Sequence, residues 1–385
     1  MLVRSQGAAD ADGGGEEVLD TRYWILDSGY SILDTRYWIL VSGCLSAQAG
    51  SMHYGSCRIQ DTGYRMTEKQ PNGQTGQRAN GPAEPSIDVL CVGHAAYDLI
   101  FSVPHHPGPD EKCMATALAS CGGGPAANAA VTVARLGLRS AFAGYLGKDL
   151  FGERHLQELH HEGVNTDLVV RRDWSTPLSV VLVKPGGERS LVNHRENSGH
   201  LPADTVADLP FHPKVILFDG HEPLMAGALV QYARSRNIPT VLDAGSVHPG
   251  TEKLVSEVDY LVASTAFAHE FTGLGNPGKA LLKMGNLAPC VVITLGREGS
   301  VWHRGQESGT MSAVPISAVD TTGAGDAFHG AFSAGLARRM GWNDLLQLSN
   351  TVAALCCLRM GARTGIPTLG ELAGFLKRPI EELLP

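Results

Sequence analysis

A chain of 385 residues, 43% hydrophobic and 18% charged, has enough apolar matter for one large globular domain or two ordinary ones. Its formal net charge of −8 excludes a global electrostatic footprint for nucleic acid or an anionic membrane, so a phosphate-bearing ligand needs a locally built site. No apolar run reaches the roughly 18 residues that span a bilayer, and no basic segment followed by an apolar stretch marks a secretory signal.

Residues 1–85 differ in texture from everything after them. LDTRYWILDSG at 19–29 returns as LDTRYWILVSG at 33–43, one substitution apart and 14 residues on. Solenoid repeats run to about 20–50 residues and need at least three copies to bury a core. Two near-identical copies therefore read as a translated DNA repeat, with Met52 and Met66 as alternative starts. The functional alternative is an aromatic docking tag built on Tyr23, Trp24, Tyr37 and Trp38. Residues 50–85 are rich in Gly, Gln, Asn, Ser and Thr and read as a disordered lead-in.

From Ser86 onward strand-like and helix-like runs alternate. IDVLCVG (87–93), KVILFDG (214–220), TVLDAG (240–245), YLVAS (260–264) and CVVITLG (290–296) are aliphatic or β-branched. AANAAVTVARLG (126–137), GERHLQELHHEG (152–163), MAGALVQYARSRN (225–237) and GKALLKMGN (278–286) have helical texture. Strands separated by helices of this length predict βαβ units and a mostly parallel sheet covered on both faces. LSVVLVKPGGERSLVNHR (178–195) breaks the rhythm and reads as a hairpin around a PGGE turn, either sheet decoration or a lid. His155, His160 and His161 fall on a polar helix without an H-E-x-x-H pattern and are expected in solvent. GLGNPG (273–278) satisfies G-x-G-x-x-G, but it follows a helix-like run and contains Pro277, so it is no dinucleotide fingerprint. A P-loop is absent as well. Eight cysteines, with Cys91, Cys290 and Cys356 in apolar runs and no C-x-x-C spacing, fit small buried hydrophobes in a reducing cytoplasm.

The stretch VDTTGAGDAFHGAF (319–332) carries the most chemistry. Gly323 and Gly325 let the backbone turn sharply and approach a ligand. A helix opening at Asp326 presents unpaired N–H groups and a positive dipole end, which together form an anion site. Asp326 stands at that site. A carboxylate there is a weak base, yet it is adequate for phosphoryl transfer, where the acceptor hydroxyl becomes acidic only as the new bond forms. A simple N-cap aspartate after a glycine turn is the plain alternative.

DTTGAGDAFHGAF resembles the C-terminal signature of the ribokinase-like, PfkB-type carbohydrate kinases. CGGGPAANAAVTVARLG (121–137) and GYLGKDLFG (144–152) are similar to two further elements of that family, in the expected order, and the resemblance spans residues 86–385. It implies an α/β, ribokinase-like fold with a small β lid, drawn from segments near 95–120 and 178–195. It implies ATP-dependent transfer to a sugar hydroxyl, with Asp326 as base and Gly323, Ala324 and Gly325 as anion hole. Asp98, Gly123, Gly124 and Asn128 match the sugar-contacting residues. Thr294, Gly296 and Gly299 match the strand–turn element beside the nucleotide, and Asn350 a residue near adenine. Asp320 and Thr322, with the loop 359–365, match a monovalent cation region, K⁺ being the natural occupant. Many members carry N-x-x-E, linked to Mg²⁺. Here STAFAHEFTG (264–273) places Ser264 and Phe267 at those positions, with Glu270 a turn later.

Within the family the triple glycine, FHGA and VAALCCLRMGARTGIP (352–367) are most similar to sulfofructose kinases. Asn193, His194, Arg195 and His221 are candidates for an anionic head group, although His221 stands where that branch has an arginine and Asn128 replaces a threonine. The acceptor is thus a ketose or pentose such as fructose, ribose or sulfofructose. A nucleoside kinase and a non-catalytic sugar or nucleotide sensor are the alternatives. Lid-mediated homodimerisation, common in the family, is the implied protein contact, and no nucleic-acid or membrane partner is expected.

Overall fold

The structure is a computed structural model that describes residues 86–196 and 199–384. The repeat, the tag residues and the alternative starts lie outside the described residues. In chain order the strands are β1 (Ser86–Val92), β2 (Ala96–Ser102), β3 (Ala117–Gly123), β4 (Ser140–Gly147), β5 (Asn165–Arg172), β6 (Leu178–Val183), β7 (Arg189–His194), β8 (His212–Phe218), β9 (Thr240–Ala244), β10 (Tyr260–Ser264), β11 (Cys290–Thr294), β12 (Ser300–Arg304) and β13 (Glu307–Met311). The helices are α1 (Pro125–Arg135), α2 (Leu150–His161), α3 (Pro223–Arg236), α4 (Pro249–Leu254), α5 (Thr265–Thr272), α6 (Pro277–Met284), α7 (Ala324–Ala337), α8 (Trp342–Cys356), α9 (Ala362–Gly365) and α10 (Leu369–Leu376).

Nine strands form one sheet in the order β13-β12-β11-β10-β9-β8-β1-β4-β5, parallel from β11 to β5, with antiparallel pairings at β11–β12 and β12–β13. Its inner strands, such as β1, β4, β10 and β11, are apolar on both faces because both faces are covered. Val89 and Cys91 pack into one core with residues of α1, α7 and α8, while Leu90 and Val92 pack into the other with α3, α5 and α6. The chain leaves β1 for β4 on one side and later returns to β8 on the other. A reversal of this kind opens a crevice at the carboxyl ends of the strands.

A second sheet, β3-β2-β6-β7, stands over that crevice. Register aligns Cys121, Asp98, Ser179 and Asn193 in one row across its four strands. Two residues along, Ala119, Ile100, Val181 and Leu191 form the next row of the same face. The GLGNPG stretch joins two helices: Gly273 ends α5 at φ 72° and the Asn276 side chain caps α6, with Pro277 in its first turn. Among the described residues, no helix is long and apolar enough to cross a membrane.

Candidate active site

Gly323 adopts φ 78° and opens α7 with no side-chain cap. The amides of the first turn are thus left for an external acceptor, although the Ala324 N–H makes a long turn contact to Thr321 O (3.3 Å). Asp326 lies in this turn, half-buried, and Gly325 is exposed. Small residues let α1 come close to α7: a Cβ on Gly330 would stand 2.6 Å from Thr132 Cβ and 2.7 Å from Ala129 O. That proximity brings Asn128 of α1 to Asp326, where Nδ2 donates to Oδ2 at 2.7 Å.

The sugar-side candidates converge from the second sheet. Asp98 is 5% exposed, and a Cβ on Gly123 would lie 2.2 Å from its Oδ2, so only glycine fits there. Gly124 follows at φ 92° and delivers the chain into α1. Burial pushes the Asp98 carboxyl up to about 6, with the Asp326 charge adding to the effect and a hydrogen bond from Ser179 opposing it. Asn193 occupies the same row of the sheet, opposite Ser179. Asp98, Asn128, Gly123, Gly124 and Asp326 thus form one cluster.

At the carboxyl ends of β1, β8 and β9 stand three imidazoles in a row, the first pair stacked and the second tilted. His94 and His221 lie 4.8 Å apart between ring centroids, and His221 and His248 4.6 Å. Their anchor is Asp219, which accepts from the amides of His94 (2.7 Å), Ala126 (3.2 Å) and His221 (2.9 Å). Its Oδ1 also lies 3.2 Å from His221 Nδ1. Against the cost of burial, the His221 charge and these donors hold the Asp219 carboxyl well below the usual range. Burial opposes protonation of His221, but Asp219 raises its pKa all the same. Burial and the His221 charge push His94 down to about 3 and lower His248. Arg195 is spent in the same way on the buried Glu222, 3.3 Å away. His194 is exposed at the end of β7. At β9, Asp243 Oδ2 lies 3.2 Å from His329 Nδ1 of α7, and burial raises its carboxyl well above the usual range.

The nucleotide-side candidates gather at the β11 end of the sheet. Thr294 closes β11, and Gly296 (φ 58°) and Gly299 (φ 92°) turn the chain into β12. A Cβ on Gly299 would collide with Met311 O at 2.0 Å. Asn350 of α8 donates to Ser312 O (3.3 Å), so it meets the same segment from behind. The Asp320 carboxylate, 1% exposed, accepts from Thr322 N (2.8 Å), Thr322 Oγ1 (2.6 Å) and Gly361 N (2.8 Å). It pairs with no Lys or Arg among the described residues. At the N-x-x-E place, Ser264 caps α5 and Phe267 is fully buried against Phe271, while Glu270 is exposed. No group of three or more His, Cys, Asp or Glu among the described residues is placed to hold a metal. A divalent ion arriving with a nucleotide would be held by phosphates and water.

The expected placement of the helix histidines needs one correction. His160 and His161 are exposed, but His155 is fully buried. It shares the inward stripe of α2 with Gly152 and Leu159, three and four residues away, which an overall polar composition conceals. The β6–β7 hairpin reaches the glycine turn directly: Arg189 Nη1 donates to Thr321 Oγ1 (2.8 Å), and Thr321 Oγ1 donates to Gly187 O (3.2 Å).

The pfkB family carbohydrate kinase profile matches residues 86–369. Ribokinase of Bacillus subtilis (strain 168) is 29% identical over 75% of this chain and 99% of its own length. A nucleoside kinase of Methanothermobacter thermautotrophicus is 27% identical over 74% of this chain and 94% of its own. The crystal structure of ribokinase from Cryptococcus neoformans var. grubii in complex with ADP superposes with a TM-score of 0.64 at 25% identity, covering 75% of this chain and all of that one. The fold is the ribokinase-like α/β fold, with a mostly parallel sheet and flanking helices. The chain belongs to the pfkB family of carbohydrate kinases.

Proposed function

We propose that this enzyme transfers the γ-phosphoryl group of ATP to a hydroxyl of a neutral ketose or pentose such as fructose or ribose. The observation that carries the reading is the half-buried Asp326 at an uncapped helix start, held by Asn128 beside Asp98 and the glycine turn. Asn128 occupies Oδ2 of Asp326, which leaves Oδ1 to take the acceptor's proton. As the new P–O bond forms, the bond to the β-phosphate oxygen breaks and its electrons leave with ADP. The amides of Gly323, Ala324 and Gly325 face the charge on the migrating group. Asp98 and Asn193 accept and donate hydrogen bonds to vicinal hydroxyls. Thr294, Gly296, Gly299 and Asn350 form the nucleotide side. A Mg²⁺ ion carried by the ATP phosphates would offset their charge. Asp320 and Thr322 suit K⁺, since the buried carboxylate meets backbone and hydroxyl donors but no Lys or Arg among the described residues.

A neutral acceptor is favoured over sulfofructose because the candidate cations already have buried partners, His221 with Asp219 and Arg195 with Glu222. A sulfonate would have to compete with both carboxylates. A second copy of the chain suits the lid's outer face, where Leu118 and Val192 are exposed and Leu99, Phe101, Val180 and Leu182 are half-buried. Coupled ADP release with ribose, fructose, sulfofructose and nucleosides tests the reading. Turnover with a neutral sugar supports it. Turnover confined to the sulfonated sugar or to nucleosides reassigns the acceptor. If no acceptor stimulates turnover while ligands still raise the melting temperature, the protein is a sensor.

A further inference from the structure

Behind the Asp326–Asn128 pair lies a buried guanidinium that the transfer itself does not call for. Arg363, on α9, is 3% exposed. Its Nε and Nη2 donate to Asn128 Oδ1 at 3.4 and 3.3 Å, and Nη2 also donates to His155 Nε2 at 3.1 Å. Nη1 lies 3.7 Å from Glu158 Oε2 and makes no hydrogen bond. Glu158 in turn accepts from Gly122 N at 2.6 Å, and His155 sits so close under this part of β3 that a Cβ on Gly122 would stand 2.4 Å from its Cδ2. Burial and the Arg363 charge push the His155 pKa well below the usual range, so its Nε2 is free to accept. Arg135 fixes the other side by donating to Arg363 O at 2.7 Å.

A guanidinium only donates, whereas a side-chain amide donates at one end and accepts at the other. With Arg363 at its back, Asn128 must turn Oδ1 inward, and Nδ2 then faces Asp326. A flipped amide would set oxygen against carboxylate and lose both contacts. A buried cation with one long ion pair is a poor choice for stability alone. We propose that Arg363, supported from behind by His155, is a positioning residue that fixes the Asn128 amide and through it the Asp326 carboxylate against the acceptor hydroxyl. The proposal rests on the assignment of Asp326 as base.

A double-mutant cycle on the full chain tests it, with ATP and whichever sugar supports turnover. Arg363→Met should lower kcat by about 10- to 100-fold, the range expected when a reacting group is misplaced by about an ångström, with KM for ATP within about twofold. Arg363→Lys, which keeps a buried donor, should recover part of the loss. In an Asn128→Ala background, Arg363→Met should cost less than about threefold, because the link it acts through is already gone. An equal loss in both backgrounds, or an unchanged kcat in Arg363→Met, overturns the proposal. If Arg363→Met does not fold, the same cycle with Arg363→Lys decides by the same criterion. Asp326→Asn is the separate reference: full activity there removes the base assignment itself, whereas an additive cycle beside an inactive Asp326→Asn removes only the role of Arg363.

Discussion

Asp98→Asn should stabilise the protein while disabling it. Burial, aided by the charge of Asp326, holds the Asp98 carboxyl at about 6 against an ordinary value of 3.8. At roughly 1.4 kcal/mol per pH unit, ionising it in the folded chain costs about 3 kcal/mol at neutral pH. Asparagine has nearly the same shape, keeps an acceptor for Ser179 and never ionises. The variant should therefore gain about 1–3 kcal/mol in urea unfolding at pH 7.5. The sign follows from a folded pKa raised above the unfolded one. The contribution of Asp98 is fully present below about pH 4 and is lost as pH rises through about 6. Wild type and variant should thus be equally stable near pH 4, diverge between 4 and 6, and stay apart above. Sugar affinity should fall at least tenfold, because a carboxylate accepting from two hydroxyls is replaced by an amide. A stability gap that does not change between pH 4.5 and 7.5, or a wild type more stable than the variant at pH 7.5, would refute the reasoning.

Three other perturbations probe the remaining parts. Arg189→Ala removes the hydrogen bond from the lid to Thr321 and should raise KM for the sugar about three- to tenfold, with unfolding changed by less than about 0.5 kcal/mol, since the contact is exposed; an unchanged KM would show that the contact does not help closure. A chain starting at Ser86 should keep full kcat and KM, and insoluble or inactive protein would contradict the reading of residues 1–85 as dispensable. Val192→Lys, on a side chain 67% exposed, should convert a dimer to monomer in sedimentation velocity, while an identical sedimentation coefficient excludes the outer lid face as the contact.

Much of this fold is legible in the sequence wherever one physical demand dominates. β1, β8, β10 and β11 are continuous aliphatic runs because both their faces are covered, and the PGGE turn marks the β6–β7 hairpin. The β2–β3 pair is harder to read as strands. AYDLIFS and ALASCGG carry alanine, serine, glycine and a mid-strand aspartate, because this sheet faces a crevice and its composition serves the site. The GAGD turn and the glycine run can be read because their spacing is local. Arg363, Asp219 and Glu222 escape notice because each has a partner more than 20 residues away in sequence: Arg363 meets Asn128 235 positions away, and Asp219 meets His94 at 125. A signal existed for Arg363, a charged residue between the apolar VAALCC and the proline of GIP, and for His155, spaced four before Leu159 on a helix whose other histidines are exposed.

The central claim is that Asp326 takes the acceptor's proton. Its most direct test is kcat of Asp326→Asn by coupled ADP release, measured beside sugar affinity from calorimetry. The account predicts a fall in kcat of at least about 100-fold, the lower end of what a general base supplies, with sugar affinity kept within about threefold. A kcat within tenfold of wild type at unchanged affinity contradicts it.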